Sequence, residues 1–271
     1  MIRFQFVTHS WFLTLLSGSV LFFATEKVLR YTDNPLYFPT VIMLGSFLVP
    51  VTFVIFVYER EDTRAISASL VVLTFLWGGA IGTLVAGVLE YDTLRDLTFF
   101  PQLGIGVIEE GAKLVLPVAF FFKGRYRREA EGLVFGAASG MGFAALETMG
   151  YGFVALIASR GDVGVLEDTL ILRGFLAPIG HGAWTGFVCA VLWRERERGS
   201  GLLRASLVVA GAFFTAAMLH ALWDTFAGSG GSTLIRSLGL DLLSLGVALV
   251  SLVLLIRRIR EASRASAFSV A

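Results

Sequence analysis

Six ionisable side chains lie deep inside apolar segments of this chain, and a seventh lies one helical turn beyond the last of them. Charged groups are costly in hydrocarbon, so they normally face a protein interior or a water-filled cavity, where they serve a function. Carboxylate, imidazole and ammonium groups transfer protons in catalysis, and the first two also bind metal ions. In chain order the seven residues are Glu109, Glu110, Lys113, Glu147, His181, His220 and Asp224.

The first three residues form an EExxK motif in the segment GVIEEGAKLVLP. Glu109 and Glu110 precede Lys113 by four and three positions, and residues at these spacings share one face of a helix. Lys113 can therefore approach either carboxylate, which leaves the other as an ionisable group. The alternative is a buried salt bridge with a purely structural role. One lysine, however, does not balance the charge of two glutamates.

Two histidines and two further carboxylates lie in the apolar segments that follow. His220 and Asp224 are four positions apart, which suits either a carboxylate that fixes the imidazole tautomer or two ligands of one metal ion. His181 is flanked by glycines, which leave room around its ring. Glu147 has no cation near it in the sequence, so taken alone it could be a neutral acid that hydrogen-bonds to a neighbouring helix.

The segments that must position these residues are membrane spans. Of the 271 residues, 56% are hydrophobic and only 16% are charged, with a mean hydropathy of +0.77. A soluble domain carries about 25% charged residues. The apolar residues come in runs of about 20, the length at which a helix crosses a bilayer. The sequence therefore predicts an all-α, polytopic transmembrane bundle with eight spans, at 10–29, 38–58, 66–89, 102–122, 131–158, 174–193, 203–226 and 234–256.

Small residues recur at helical spacing in two of these spans. Gly132, Gly136 and Gly140 repeat at every fourth position, and the third span has a similar stripe that begins at Gly78. Small residues let helices approach closely in lipid. The stripes predict tight packing of the fifth span, which would hold Glu147 in place.

Lys and Arg are concentrated in the loops on one side of the predicted spans, including clusters at 123–128 and 194–204. The positive-inside rule places this side, and with it both termini, in the cytoplasm. At ~1.5 Å per residue, the glutamates and histidines then lie ~10–17 Å from the outer ends of their helices. They all fall in the outer half of the bilayer, as expected for one outward-opening polar cavity.

Other features of the chain limit its organisation and partners. Cys189 is the only cysteine, so no intrachain disulfide can form. The net charge of +1 gives no field that would attract nucleic acid. The N-terminus enters an apolar stretch with no small-residue cleavage site, which favours an uncleaved first span. The loops are short, so residues 1–271 are predicted to form one integral membrane domain in contact with the lipid bilayer.

Hydrolysis of a peptide in a membrane needs water, a base to activate it and a donor for the tetrahedral oxyanion. Paired glutamates can supply the base, or two histidines and a carboxylate can form a zinc site with an open position for water. The chain lacks an HExxH motif, GxGD-type paired aspartates and a Ser–His pair. The rival interpretations are a proton-coupled transporter with a Glu/His relay and a non-catalytic scaffold that binds a partner's transmembrane helix.

The sequence resembles the PrsW family of intramembrane proteases, within the wider group that includes the CAAX-prenyl endopeptidases. The resemblance rests on EExxK at 109–113, FxxxE ending at Glu147, the His181 segment and HxxxD at 220–224. It implies a protease that cleaves membrane-anchored proteins, such as anti-sigma factors, near the outer face of a prokaryotic cytoplasmic membrane. The CAAX enzymes usually place a histidine where this chain has Glu147, so their mechanism is not carried over.

The carboxylates are assigned to proton transfer. Glu109 or Glu110 is expected to be the base that activates water, and the residues leave open which of the two it is. Glu147 is expected to be its partner, and Lys113 to tune the glutamate pair.

The histidines are assigned to the oxyanion or to a metal ion. His220, oriented by Asp224, and His181 would stabilise the oxyanion or bind the metal. Zinc is the candidate metal, because histidine and carboxylate ligands suit it. The ligands would be drawn from Glu110, Glu147, His181 and His220.

Overall fold

The structure is a computed structural model that describes residues 9–60, 65–94, 101–227 and 242–268. Within these ranges the chain forms nine α-helices and two 3₁₀ turns, with no strand. The start of the predicted eighth span, at 234–241, and the N-terminal approach to the first span, at 1–8, lie outside the described residues. The helices are α1 (Ser10–Thr32), α2 (Phe38–Arg60), α3 (Ala68–Leu94), α4 (Pro101–Lys123), α5 (Glu129–Ala158), α6 (Val163–Leu176), α7 (His181–Glu197), α8 (Leu202–Ala227) and α9 (Leu242–Phe268).

Seven stretches of the described chain are long and apolar enough to cross a membrane. Helix α4 is not among them, because Glu109, Glu110 and Lys113 place three charges in its middle turns. It has the length of a span and packs against α3, α5 and α8. The predicted class, an all-α polytopic bundle of about eight spans, is confirmed.

Helix α5 forms the centre of the bundle, where it packs most closely against α7 and α3. All of its residues from 129 to 145 are buried. A Cβ atom on Gly136 would lie 2.6 Å from the Thr185 carbonyl oxygen of α7, and one on Gly78 of α3 would lie 2.5 Å from Ser139 Oγ of α5. Helices on both sides therefore approach α5 at distances that only glycine allows, so the close packing predicted from the two stripes is confirmed.

This packing predicts a large difference between two glycines of the same helix. Gly136→Val is expected to lower the stability of the folded protein by about 1–3 kcal/mol, because the added methyl groups would overlap α7. Gly150→Val is the matched control, since a Cβ atom at Gly150 meets nothing within 4 Å. Thermal unfolding of the two purified variants in detergent measures the effect. Equal midpoints would show that the α5–α7 contact is not tight.

The predicted sixth span, 174–193, begins too late and is interrupted. Helix α6 already begins at Val163, where Asp162 Oδ1 accepts hydrogen bonds from two backbone N–H groups of its first turn. The chain then forms a 3₁₀ turn over Ala177–Ile179 and passes Gly180, which is not helical, before α7 begins. Acidic residues in α6 weaken the hydropathy signal there, and Pro178 lacks the N–H group that a continuing α-helix would need.

The loops predicted to be cytoplasmic meet at one end of the bundle. Arg196 Nη1, near the end of α7, donates a hydrogen bond to the Phe121 carbonyl of α4 at 2.6 Å. Arg258 Nη1 of α9 donates to Glu129 Oε1, at the start of α5, at 3.1 Å. Several basic loops therefore share one side of the bundle. The orientation of that side towards the cytoplasm stays a prediction from the distribution of Lys and Arg.

Candidate active site

The middle of α4 carries the EExxK motif, and all three of its ionisable side chains are buried. Lys113 Nζ lies 3.1 Å from Glu109 Oε2 and 2.8 Å from Glu110 Oε1, so the ammonium group contacts both carboxylates, as the spacing predicts. The Glu110 side chain is 1% exposed, whereas that of Glu109 is 10% exposed. Glu109 is therefore the more accessible of the two carboxylates.

Lys113 is held from two sides by α5 and α7. Pro117 has no N–H group, so it leaves the Lys113 carbonyl, four residues earlier, without its helical partner. Ser139 Oγ of α5 donates a hydrogen bond to that carbonyl at 2.7 Å. The ammonium group also lies 4.1 Å from the centre of the Phe143 ring and 2.8 Å from His181 Nδ1. The proline in α4 thus creates the acceptor that ties α4 to the central helix.

Helix α8 brings His220 against the motif of α4. Its Nδ1 atom lies 3.1 Å from Glu110 Oε1, and its Nε2 atom lies 3.6 Å from Glu109 Oε2. Asp224 Oδ2, one turn further along α8, lies 3.5 Å from the same Nε2 atom. Trp184 stacks on the imidazole with ring centres 4.7 Å apart. Carboxylates beside both ring nitrogens and an aromatic face therefore fix the orientation of His220.

His181 is the first residue of α7, directly after the break between α6 and α7. Its Nδ1 atom faces Lys113, and its Nε2 atom lies 3.0 Å from Glu147 Oε2. The centres of the His181 and His220 rings are 5.2 Å apart. His181 therefore connects the carboxylates of α4 with the carboxylate of α5.

Glu147 has a cationic partner that the sequence did not reveal. Arg173 Nη2 of α6 lies 2.9 Å from Glu147 Oε2, and the Arg173 guanidinium carbon lies 3.8 Å from the centre of the Tyr151 ring. Arg173 is 26 positions from Glu147 along the chain, so no helical spacing connects them. The available signal was an arginine inside the apolar stretch Val163–Glu197.

Thr185 is a second residue of the site that was missed. Its Oγ1 atom donates a hydrogen bond to Glu110 Oε2 at 3.0 Å, and its side chain is fully buried. Thr185 lies one turn after His181 on α7, and this i,i+4 spacing was the signal that could have identified it. With Lys113 and His220 on Oε1, both oxygens of Glu110 are occupied.

One group of side chains among the described residues has the geometry of a metal site. Ligand atoms of Glu109, His181 and His220 all lie within 4.8 Å of one another. Two imidazoles and one carboxylate form a donor set that binds zinc in enzymes and leaves a position open for water. The ligands predicted from the sequence were both histidines together with Glu110 and Glu147. Those two carboxylates instead contact Thr185 and Arg173, respectively, and Glu109 joins the histidines.

Seven predicted residues are thus gathered around one buried centre, contributed by α4, α5, α7 and α8. Asp224 is at the edge of this group, and His220 is the member that it contacts. Side chains that could transfer protons, bind a divalent cation and stabilise negative charge share this space. The arrangement suits the hydrolysis of a peptide by activated water.

Comparison with known protein families gives the same answer from the sequence as a whole. The family model described as PrsW family intramembrane metalloprotease matches residues 67–256, most of the chain, from the start of α3 into α9. No curated protein and no solved structure matched the chain. The matched segment includes every residue of the centre described above. This polytopic helical membrane protein therefore belongs to the PrsW family of intramembrane metalloproteases.

Proposed function

We propose that this protein is a metal-dependent endopeptidase that hydrolyses a peptide bond of a membrane-anchored protein. The observation that carries the proposal is the group of Glu109, His181 and His220, whose ligand atoms lie within 4.8 Å of one another inside a bundle of a protease family. These three side chains would hold a divalent ion such as zinc. When bound, such an ion supplies a polarised scissile carbonyl and an activated water molecule.

The balance of charge around the centre supports a divalent cation. With neutral histidines and ionised carboxylates, two negative charges remain uncompensated, which would be costly in a bilayer. A divalent ion would neutralise them, as would protonation of both histidines. Elemental analysis distinguishes these two states. The carboxylates counted are Glu109, Glu110, Glu147 and Asp224, and the compensating cations are Lys113 and Arg173.

Within this proposal Glu147 transfers the proton. It would accept a proton from water as the water oxygen bonds to the scissile carbon, and would give that proton to the amine when the C–N bond breaks. The Glu147 side chain is 19% exposed, and its Oε2 atom lies 3.0 Å from His181 Nε2. Arg173 holds the carboxylate in place at 2.9 Å.

The remaining residues of the centre position these groups. Glu110 is enclosed and its oxygens contact Lys113, His220 and Thr185, so we assign it to orienting His220 and Lys113 rather than to activating water. The sequence left open whether Glu109 or Glu110 is the base. In this proposal Glu109 would bind the metal instead, and the base is Glu147. Asp224 supports His220 from the other ring nitrogen. The Lys113 ammonium group provides positive charge near the site of the developing oxyanion.

The substrate and location are also proposals. The positions of the carboxylates and histidines along their helices, combined with the distribution of Lys and Arg, support a location of the centre in the outer half of the bilayer. A single integral membrane domain in the prokaryotic cytoplasmic membrane would then cleave its substrate near the extracytoplasmic face. Membrane-anchored regulators of the anti-sigma-factor type fit this position.

The decisive experiment combines metal analysis with proteolysis. The protein is purified in detergent, its metal content is measured, and cleavage of a designed single-pass substrate is followed with and without a chelator. We expect about one zinc ion per chain, loss of cleavage on chelation and recovery when zinc is added. Full cleavage by metal-free protein would overturn the metal assignment but not the peptidase. A metal-loaded protein that cleaves no membrane-anchored substrate would overturn the peptidase.

A smaller effect is expected when the Thr185 hydroxyl is removed. Thr185→Val keeps the shape of the side chain but leaves Glu110 with one hydrogen bond fewer, which loosens the carboxylate that orients His220. Supporting contacts of this kind contribute about 10–100-fold to metal affinity or activity. The matched control is Thr215→Val, because Thr215 Oγ1 bonds only to its own helix, at the Gly211 carbonyl. Equal cleavage rates for the two variants would remove Thr185 from the site.

A further inference from the structure

A cavity of 210 Å³ lies beside the proposed active site. It is enclosed by α5, α6, the 3₁₀ turn after α6 and the first turns of α7, with one side chain from α8. Its walls are mostly apolar, so it excludes charged groups unless they bring their own partner. The apolar residues of the walls are Leu172, Leu176, Ala177, Ile179, Trp184 and Trp223.

The cavity shares residues with the reacting centre. His181 lines it, and the same histidine is a candidate metal ligand and contacts Glu147. Trp184 lines it as well and stacks on His220. A group that fills this cavity therefore lies directly against the atoms that would carry out hydrolysis.

The size of the cavity suits one large apolar side chain. An engineered apolar cavity of about 150 Å³ binds benzene, so 210 Å³ accommodates a phenylalanine or leucine side chain. Arg173 also lines the cavity, and its Nε atom is buried without a hydrogen-bond partner among the described residues. A buried donor of this kind needs an acceptor, and the main-chain carbonyl of a bound peptide provides one.

We propose that this cavity is the specificity pocket of the protease, which takes a large apolar side chain of the substrate, such as Phe or Leu, next to the scissile bond. The proposal rests on the proposed peptidase function. Arg173 Nε would donate a hydrogen bond to the main chain of the bound substrate. A lipid acyl chain is the less suitable occupant, because it would leave the buried Arg173 Nε atom without an acceptor.

Substrates that differ at one position test the pocket. A set of single-pass substrates carries Ala, Leu, Phe or Trp beside the scissile bond, and kcat/KM is measured for each in detergent or in vesicles. A pocket that fits the side chain discriminates by about 10–200-fold. We expect Leu and Phe to be preferred over Ala within this range. The Leu172→Trp variant should reduce the Phe-to-Ala ratio at least about tenfold, because the larger ring occupies the cavity.

Two further variants complete the experiment. Ile171→Trp is the matched control, because Ile171 is the neighbouring residue on α6 but its side chain is exposed on the outside of the bundle. It should keep the ratio of the unmodified protein. Leu176→Ala enlarges the cavity and should raise the rate for the Trp substrate relative to Phe, which keeps the pocket testable if Leu172→Trp does not fold.

The outcomes distinguish failure of the pocket proposal from failure of the peptidase proposal. Cleavage without preference for side-chain size, or a preference that changes neither in Leu172→Trp nor in Leu176→Ala, overturns the pocket and leaves the peptidase intact. The pocket proposal is also overturned if Ile171→Trp reduces the preference for Phe over Ala as much as Leu172→Trp does. A general disturbance of α6 would then explain the effect. If the unmodified protein cleaves none of the four substrates, the peptidase itself is wrong and the pocket proposal is overturned with it.

Discussion

Replacing Glu147 with glutamine is expected to reduce cleavage by about 10²–10⁴-fold while zinc remains bound, because a positioned general base contributes this much to a hydrolytic step. The glutamine keeps the size of the side chain but cannot accept the proton of the attacking water. The loss should appear in kcat and leave KM nearly unchanged, since Glu147 would act on water and not on the substrate. Cleavage kinetics and metal analysis of the same preparation measure both parts.

The control for this variant must separate proton transfer from the loss of an ion pair. Glu167→Gln serves, because Glu167 Oε2 lies 2.7 Å from Arg30 Nη2 of another helix and its side chain is 23% exposed, close to the value for Glu147. This interhelical Glu–Arg pair includes none of the residues of the proposed centre. We expect Glu167→Gln to cleave at the normal rate. A Glu147→Gln variant that stays within about tenfold of the unmodified protein would reassign the base to Glu109.

The second large effect concerns metal binding. His220→Ala is expected to remove one of three ligands, so that the purified protein loses its zinc and its cleavage activity together. The loss of affinity should exceed the about 10–100-fold that follows from removal of a supporting contact. His9→Ala is the matched control, since His9 precedes α1 and is 59% exposed. The chain has three histidines, so this pair compares a buried histidine of the site with one outside it.

The result has a clear alternative. If His220→Ala keeps its zinc and loses only activity, His220 stabilises the oxyanion and the metal is bound elsewhere. Folding is checked by thermal unfolding, because removal of the imidazole also removes the stacking contact with Trp184. Asp224→Asn provides an intermediate case, because Asp224 Oδ2 lies 3.5 Å from His220 Nε2 and supports the ring, and it should weaken zinc binding without abolishing it.

The sequence was sufficient for features that lie within one helix. Hydropathy located the spans, because the bilayer requires apolar residues over a fixed length. The i,i+3 and i,i+4 rules predicted the contacts of Lys113 with both glutamates and of His220 with Asp224. The glycine stripe predicted that α5 packs tightly, because only small residues permit it, but did not identify α7 as the helix it packs against.

Contacts between helices could not be predicted from one sequence. Glu147 and Arg173 meet because α5 and α6 pack side by side, and hydropathy does not reveal the direction in which a side chain leaves its helix. The same gap explains why Glu109, and not Glu110, groups with the histidines: the two residues are adjacent in sequence but point 100° apart on a helix of about 3.6 residues per turn. The late start predicted for the sixth span has a different cause, since acidic residues on α6 reduced its apolar signal.

The interruption between α6 and α7 has a mechanical consequence. Glu147 contacts Arg173 on α6, before the interruption, and His181 on α7, after it. A change in the angle between α6 and α7 would lengthen one of these two contacts, so the position of the Glu147 carboxylate depends on the tilt of α6. Tilt is how long helices adapt to a membrane of a different thickness. In the proposed mechanism, a centre built across this interruption would make the rate of peptide hydrolysis depend on the thickness of the surrounding bilayer.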